Sequence, residues 1–515
     1  MRTSVTLLIS GLLLATACKR EELTPCEPAV QGEVLQQRTD AQAVPQGGAM
    51  SQADVDRTVL DMLRQRDGFD WNMVDLRTRW SATQYNEQHV AIGYQPAHLN
   101  DLDDMIHEVD IHKNEWRAVH DAIIQLVLTT LNANRTTALR WEDILIEDDQ
   151  ELPIITLRAI DAELFTALYN LKNVRYIEPL GYWPAIGGAE RSTSGCGAGS
   201  TALNAADIST ITPNARLPWN FNNHNIPAAW NSGQGQGITI GVIDAGISSA
   251  QPLIGSGFNN GDSDVGRTLT TGYTFGGSTY STCTHGTSMS GLAAGPRNDQ
   301  GATTGVGYKS NLRFIRGCED VVLDLSSELT GVKNALVQMG DDNTVRVVSM
   351  SIGTPFSSSV LSDGVNYAYG RGKMLMAAAG TSFNWLSWWG VIYPAALTKC
   401  VAVTGVKENG GKCSSCHDGS QVDLTICMER NASSSRNSVS LSPSGNAPAY
   451  IGGSSAATST AAGIAAVVWG VRPTATRDQI LQCLKSTAQF AAAPSSNKGY
   501  GNINAAAAVN CALAL

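Results

Sequence analysis

The sequence predicts an α/β protein: a doubly wound, mostly parallel sheet with helices on both faces, preceded by a small α+β unit. Three observations carry that prediction. From residue 219 onward, short unbroken apolar runs alternate with helical stretches, as buried parallel strands and their crossover helices do. Glycine is abundant, at 50 of 515 residues, and with Ala, Ser and Thr it crowds the C-terminal half, where it favours close helix–sheet packing. Upstream, a more charged segment places a strand, a helix and a strand between residues 152 and 179.

A chain of 515 residues is too long for one hydrophobic core. Its 43% hydrophobic and 16% charged content fits a folded protein rather than a disordered one. The formal charge of −10 argues against a nucleic-acid partner, which would require a basic face.

Residues 1–17 read as a signal peptide, with a basic start at Arg2 and an apolar run from 7 to 17 too short to span a bilayer. The run ends in Leu14-Ala15-Thr16-Ala17-Cys18, which resembles a bacterial lipobox, so Cys18 is the expected lipidation site. An acyl chain anchors without spanning. The expectation is an exported protein at the outer membrane or cell surface, touching membrane only through that lipid, or released once the chain is cut. The later apolar stretch 461–471 is interrupted by Gly463 and Gly470 and reads as a buried helix. Of 11 cysteines, Cys18 leaves an even number for disulfides in an oxidising compartment.

Residues 19–50 are polar and read as a flexible tether. Residues 51–185 form the α+β unit, with helical spacing at 55–64, 116–131 and 161–171 and strand-like runs at 152–158 and 174–179. Residues 186–218, rich in Gly, Ser and Ala at their start, read as an exposed linker open to cleavage. Residues 219–515 form the α/β domain, with strands at 238–243, 345–351, 374–379 and 400–406 and helices at 329–339, 361–371 and 477–488.

Three segments of that domain carry chemistry. In Gly241-Val-Ile-Asp244-Ala-Gly246 an acid ends a buried strand, where open α/β sheets place their ligands. In Cys283-Thr-His285-Gly-Thr a histidine opens a helix of small residues. In Gly452-Gly-Ser-Ser455-Ala-Ala a serine stands in the first turn of another such helix, with its hydroxyl exposed and its backbone N–H directed at the helix N-terminus. Alone, each has a structural reading: a capping Asp, a core His, a Ser N-cap. Together, in the order Asp, His, Ser, they match one of the recurring orders of a nucleophilic triad.

With these residues in hand, the chain resembles the subtilisin-like (subtilase) serine peptidases. The family's Asp-[Ser/Thr]-Gly reads here Asp244-Ala245-Gly246, its His-Gly-Thr reads His285-Gly286-Thr287, and its Gly-Thr-Ser-Met-Ala-x-Pro reads Gly453-Ser454-Ser455-Ala456-Ala457-Thr458-Ser459. The resemblance implies Ser455 as nucleophile, His285 as general base and Asp244 as its orienting carboxylate, in a secreted serine endopeptidase working through an acyl-enzyme. It implies a substrate-binding edge strand along Ser349, Ser351, Ile352 and Gly353, and a second pocket wall at Ala378, Ala379 and Gly380. The oxyanion donors would be the Ser455 backbone N–H and a side chain after the Ala-Gly turn; the family's Asn is replaced by Thr381, with Asn384 as the alternative. Segment 152–182 resembles the end of the family's inhibitory propeptide. This implies a proenzyme whose own propeptide is its inhibitor, with polypeptides as substrates and a monomer as the working form. No cofactor is required; structural calcium is common in the family, and Asn259 to Asp264 is the candidate loop without assigned ligands.

The rival reading is a surface lipoprotein that keeps the fold, is weakly active or inactive, and serves as a binding module. A dinucleotide enzyme is disfavoured, because no G-x-G-x-x-G follows the strand at 238–243. Cys413-Ser-Ser-Cys416-His417 has the form of a haem attachment site, but the favoured reading is disulfides from Cys413 and Cys416 to partners such as Cys400 or Cys427. No metal site is assigned.

Overall fold

The computed structural model describes residues 34–65, 69–185, 196, 202–381 and 390–515. Cys18, the signal segment, most of the linker before 202 and Asn384 lie outside the described residues. A seven-stranded sheet organises the C-terminal domain. Its order is Leu424–Glu429, Cys400–Lys407, Met374–Ala378, Val345–Met350, Thr239–Asp244, Asn311–Arg316, Leu269–Tyr273, and every pairing is parallel. The inner strands are apolar throughout because both faces are covered, so side chains alternate between two cores. Ile240 and Val242 pack on one face with Met289 and Leu292 of the helix His285–Ala294 and Ala461 and Ala465 of the helix Gly453–Gly470. Ile243 faces the other side, with Leu329 and Val332 of the helix Ser326–Asp341 and Val360 and Leu361 of the helix Ser359–Gly370. The stretch 461–471 is the buried second half of the helix carrying Ser455. Among the described residues no helix is long and apolar enough to cross a membrane.

The N-terminal unit is a four-stranded antiparallel sheet in the order Leu145–Asp148, Ile154–Arg158, His89–Tyr94, Val174–Leu180. Its helices include Asn114–Asn132 and Ala162–Tyr169, the second capped by Asp161, whose carboxylate accepts from Leu164 N–H at 2.8 Å. This unit sits on the N-termini of the helices Ser326–Asp341 and Ser359–Gly370. Glu87 accepts from the Ser326 N–H, and Glu178 accepts from the Ser359 N–H at 2.6 Å and its hydroxyl at 2.8 Å. Each carboxylate thus satisfies donors that a helix end leaves orphaned. Arg175 bridges Asp363 through both guanidinium nitrogens, and the buried Lys333 pairs with Asp149.

Two boundaries differ from the sequence reading. Residues 34–50 are not a free tether. Arg38 N–H donates to Asn170 O, Lys172 N–H to Gln36 O, and Met50 N–H to the Ser81 hydroxyl, so backbone pairing holds a polar segment without apolar patterning. Likewise the span taken as linker contains the hairpin Ile208–Ile211 and Ala215–Pro218. Asp207, buried at its start, is held by Arg430, Arg436 and Tyr450. The hairpin therefore belongs to the C-terminal domain.

Burial pushes the Glu178 carboxyl up to about 8, against the opposing bonds from Ser359. A carboxyl raised in the docked state contributes stability that is complete below its free value and is lost as pH rises through about 8. In a Ser455→Ala background, melting should therefore fall between pH 5 and pH 8.5 by several degrees more in the parent than in Glu178→Gln. Equal pH dependence by calorimetry would remove Glu178 from the interface balance.

Candidate active site

Asp244 is the last residue of its strand, fully buried at the carboxyl end of the sheet. Its Oδ1 accepts from Ala245 N–H at 2.8 Å, and its two carboxylate oxygens lie 2.9 and 3.0 Å from His285 Nδ1. The bond fixes the tautomer: Nδ1 carries the proton and Nε2 is left as the basic nitrogen. His285 opens its helix and is 4% exposed.

The residues after His285 explain how strand and helix come this close. A Cβ on Gly286 would lie 2.6 Å from Gly246 O and 2.5 Å from the Phe314 ring, so only glycine allows the helix to approach the Asp loop. Thr287 Oγ1 accepts from Ser248 N–H at 2.8 Å and ties the loop to the helix. The helix of Ser455 packs against this one through Gly463, where a Cβ would stand 2.9 Å from Ala293 O.

Ser455 lies in the first turn of Gly453–Gly470, half-buried, next to the fully buried Ser454. Gly453 is left-handed, at φ +76°, and a side chain there would meet Thr381 Oγ1 at 2.7 Å. The Ser455 hydroxyl donates to Ser351 O at 3.4 Å, and the Ser351 hydroxyl donates to Ser455 O at 3.0 Å. No hydrogen bond joins Ser455 Oγ to His285 Nε2 among the described residues; a serine hydroxyl has three staggered positions, and catalytic bonds of unliganded enzymes commonly form only with substrate present. The structure thus joins Asp244 to His285 directly and sets Ser455 on the adjoining helix.

The expected substrate strand begins inside the central sheet and runs out past its end. Ser349 belongs to Val345–Met350, a central strand, and is completely buried, with its hydroxyl 3.4 Å from Ser459 Oγ. Ser351 continues that chain of hydroxyls, 3.3 Å from Ser459 Oγ. Both serines thus brace the sheet against the helix of Ser455. Beyond the sheet, Gly353 N–H donates to Val321 O at 2.9 Å and Gly353 O accepts from Leu323 N–H at 2.9 Å. Gly353 is therefore bridged in parallel to Val322. Ile352 beside them is buried, 2% exposed. On the other wall, Ala378 and Ala379 are buried, and Ala379 O accepts from Ile392 N–H at 3.0 Å. Gly380, at φ +125°, donates its N–H to Ser454 Oγ at 3.1 Å, and Thr381 Oγ1 lies 3.3 Å from the same hydroxyl.

Disulfides join Cys196–Cys283, Cys413–Cys416 and Cys483–Cys511. Cys413 and Cys416 pair with each other, while Cys400 and Cys427 are free buried thiols, contrary to the expected partnering; three-residue spacing in a tight turn brings the first pair together. The disulfide at Cys283 lies two residues before His285, and Cys196 Sγ lies 3.3 Å from Asp320 Oδ1. Cys196, Cys283 and Asp320 are the metal-capable group among the described residues, with both sulfurs consumed by the disulfide. The side chains of the 259–264 loop make contacts within the protein. Asn259 Oδ1 accepts from Arg267 N–H, Asn260 Oδ1 from Asp299 N–H, and Asp262 pairs with Arg297 at 3.3 Å.

Residues 235–502 match the family model described as the subtilase family, Peptidase_S8. A thermostable alkaline protease of Halalkalibacterium halodurans is 29% identical over 296 residues, 57% of this chain and 73% of that protein. Subtilisin Savinase of Lederbergia lenta is 30% identical over 298 residues, 57% of this chain and 98% of that protein. Thermitase of Thermoactinomyces vulgaris is 30% identical over 200 residues, 38% of this chain and 65% of that protein. Among solved structures, MycP1 from Mycobacterium smegmatis has a TM-score of 0.45 at 19% identity, covering 59% of this chain and 88% of that one. The family match and the alkaline protease and subtilisin relatives define a serine-type endopeptidase, a hydrolase. The chain belongs to the subtilase family.

Because the buried Thr287 hydroxyl is the acceptor for the N–H of the half-buried Ser248, Thr287→Val should lower stability by about 1–3 kcal/mol. Urea unfolding of the variant in a Ser455→Ala background measures this; an unchanged midpoint contradicts the role given to the loop–helix bond.

Proposed function

We propose that this peptidase is exported, is made as a proenzyme, and cleaves extended polypeptides with Ser455, His285 and Asp244. The observation that carries the reading is the buried Asp244–His285 pair, 2.9 Å apart, with His285 on the helix packed against Gly453–Gly470, whose first turn holds Ser455. Ser455 Oγ attacks the peptide carbonyl as His285 Nε2 takes its proton, and the same nitrogen returns that proton to the leaving amine. Asp244 stabilises the imidazolium formed in between. Water then repeats the sequence on the acyl-enzyme. The oxyanion is received by the Ser455 backbone N–H at the helix N-terminus, with Thr381 as the second donor beside it; Asn384 remains the alternative.

The N-terminal unit serves as the inhibitory propeptide, supported by its seat on the helices that begin at Ser326 and Ser359. Processing falls between 186 and 204, since the hairpin after it belongs to the peptidase domain. Lipidation at Cys18 places the precursor on the outer membrane or cell surface, and the cut frees the peptidase unless another bond holds it. The monomer is the working form.

A fluorophosphonate should label the purified protein, and Ser455→Ala should abolish both labelling and peptide hydrolysis; labelling that survives the substitution removes Ser455 from its role. Asp244→Asn should lower kcat by roughly four orders of magnitude, the loss the corresponding change produces in a related triad. A mature N-terminus outside 186–204 would refute the processing assignment.

A further inference from the structure

The turn that carries Thr381 is held from behind by one short segment. Thr381 pairs antiparallel with Cys416, and His417 N–H donates to Gly380 O at 2.9 Å. His417 Nδ1 lies 2.9 Å from Gly390 O, so this residue engages Gly380 through its backbone N–H and Gly390 through its side chain. A carbonyl is only an acceptor, so Nδ1 carries the proton. Burial pushes the imidazole down to about 4, which keeps it neutral at working pH. The ring lies flat enough on Gly380 that a Cβ there would stand 2.4 Å from Nδ1. Behind it, His417 O accepts from the Thr404 hydroxyl, and the Cys413–Cys416 disulfide closes the preceding turn. In front, Gly380 N–H reaches Ser454, the neighbour of Ser455.

His417 is 1% exposed, and among the described residues its buried Nε2 has no hydrogen-bond partner. An orphaned buried polar atom costs roughly 1–3 kcal/mol. An apolar ring would fill the same space without that cost; what it lacks is the Nδ1 donor. The imidazole is therefore explained by what it holds rather than by the space it fills.

We infer that the His417 side chain is a positioning group for acyl transfer: its Nδ1 bond to Gly390 and its ring packed on Gly380 hold the Gly380–Thr381 turn so that the Thr381 donor meets the oxyanion formed at Ser455. This rests on the peptidase mechanism proposed above. The bond that matters is used more in the transition state than in substrate binding, because the oxyanion exists only there. Its loss should therefore appear in kcat.

The test uses the mature enzyme, with active sites counted by fluorophosphonate titration, and three variants. His417→Phe keeps volume and removes the donor, His417→Ala removes both, and His417→Asn offers an amide donor near the place of Nδ1. Phe and Ala should lower kcat per titrated site by about ten- to hundred-fold at unchanged KM, the scale of a small misplacement of a catalytic group. Asn should recover most of it. Should the alanine variant not fold, the other two carry the comparison. Phe with parental kcat, or a loss that Asn leaves uncorrected, overturns the assignment. Absence of labelling and hydrolysis in the parent is the separate signature of a failed peptidase reading, and the inference falls with it.

Discussion

Asp244 has no contact with solvent, and a carboxylate in that position is costly unless its oxygens are bonded. Ala245 N–H and His285 Nδ1 supply those bonds. The rest of the domain can be seen as the means of bringing that imidazole to the end of a central strand. Gly286 lets the helix descend onto Gly246, Thr287 binds the loop through Ser248, and Phe314 from the neighbouring strand closes the space beneath. The acid, the glycine and the threonine are three conditions on one contact, which is why the His segment tolerates so little bulk.

The second condition is the approach of the helix that begins at Gly453. Its stripe of Ala, Ser and Gly has little apolar area to bury per residue, so adhesion comes from closeness and from hydroxyls. Ser349, Ser351 and Ser459 form a buried chain between sheet and helix, and Ser351 exchanges bonds with Ser455 itself. The proposed nucleophile is thereby registered to the sheet by side chains that never leave the interior. Gly380 and Thr381 join the same arrangement through Ser454.

Much of this was legible in the sequence wherever periodicity was the deciding force. The apolar runs at 238–243, 345–351, 374–379 and 400–406 became four adjacent strands, because burial on both faces leaves no polar alternation to confuse the pattern. The Asp244–His285 contact is what the order of the three segments and the subtilase resemblance imply. What escaped was whatever depends on backbone pairing at a distance. Residues 34–50 carry no apolar pattern yet bond to 170–174 and to Ser81. The hairpin at 208–218 is short, and its anchor, Asp207, meets Arg430 and Arg436 more than two hundred positions away. The central position of Ser349 also escapes the sequence, because a local motif says nothing of which strands will flank it. His417 was visible only as part of a Cys-x-x-Cys-His string; the sequence signal was its closeness to that turn, and its partners Gly380 and Gly390 could be known only in three dimensions.

The Cys196–Cys283 disulfide divides the linker into two topologically distinct halves. Scission on the amino side of Cys196 separates the N-terminal unit completely and leaves the new chain end stapled two residues from His285. Scission on the carboxyl side gives two polypeptides that remain one covalent molecule, parted only by a reductant. The position of a single peptide-bond cut relative to one sulfur thus decides whether dissociation of the N-terminal unit is governed by noncovalent affinity or by thiol chemistry.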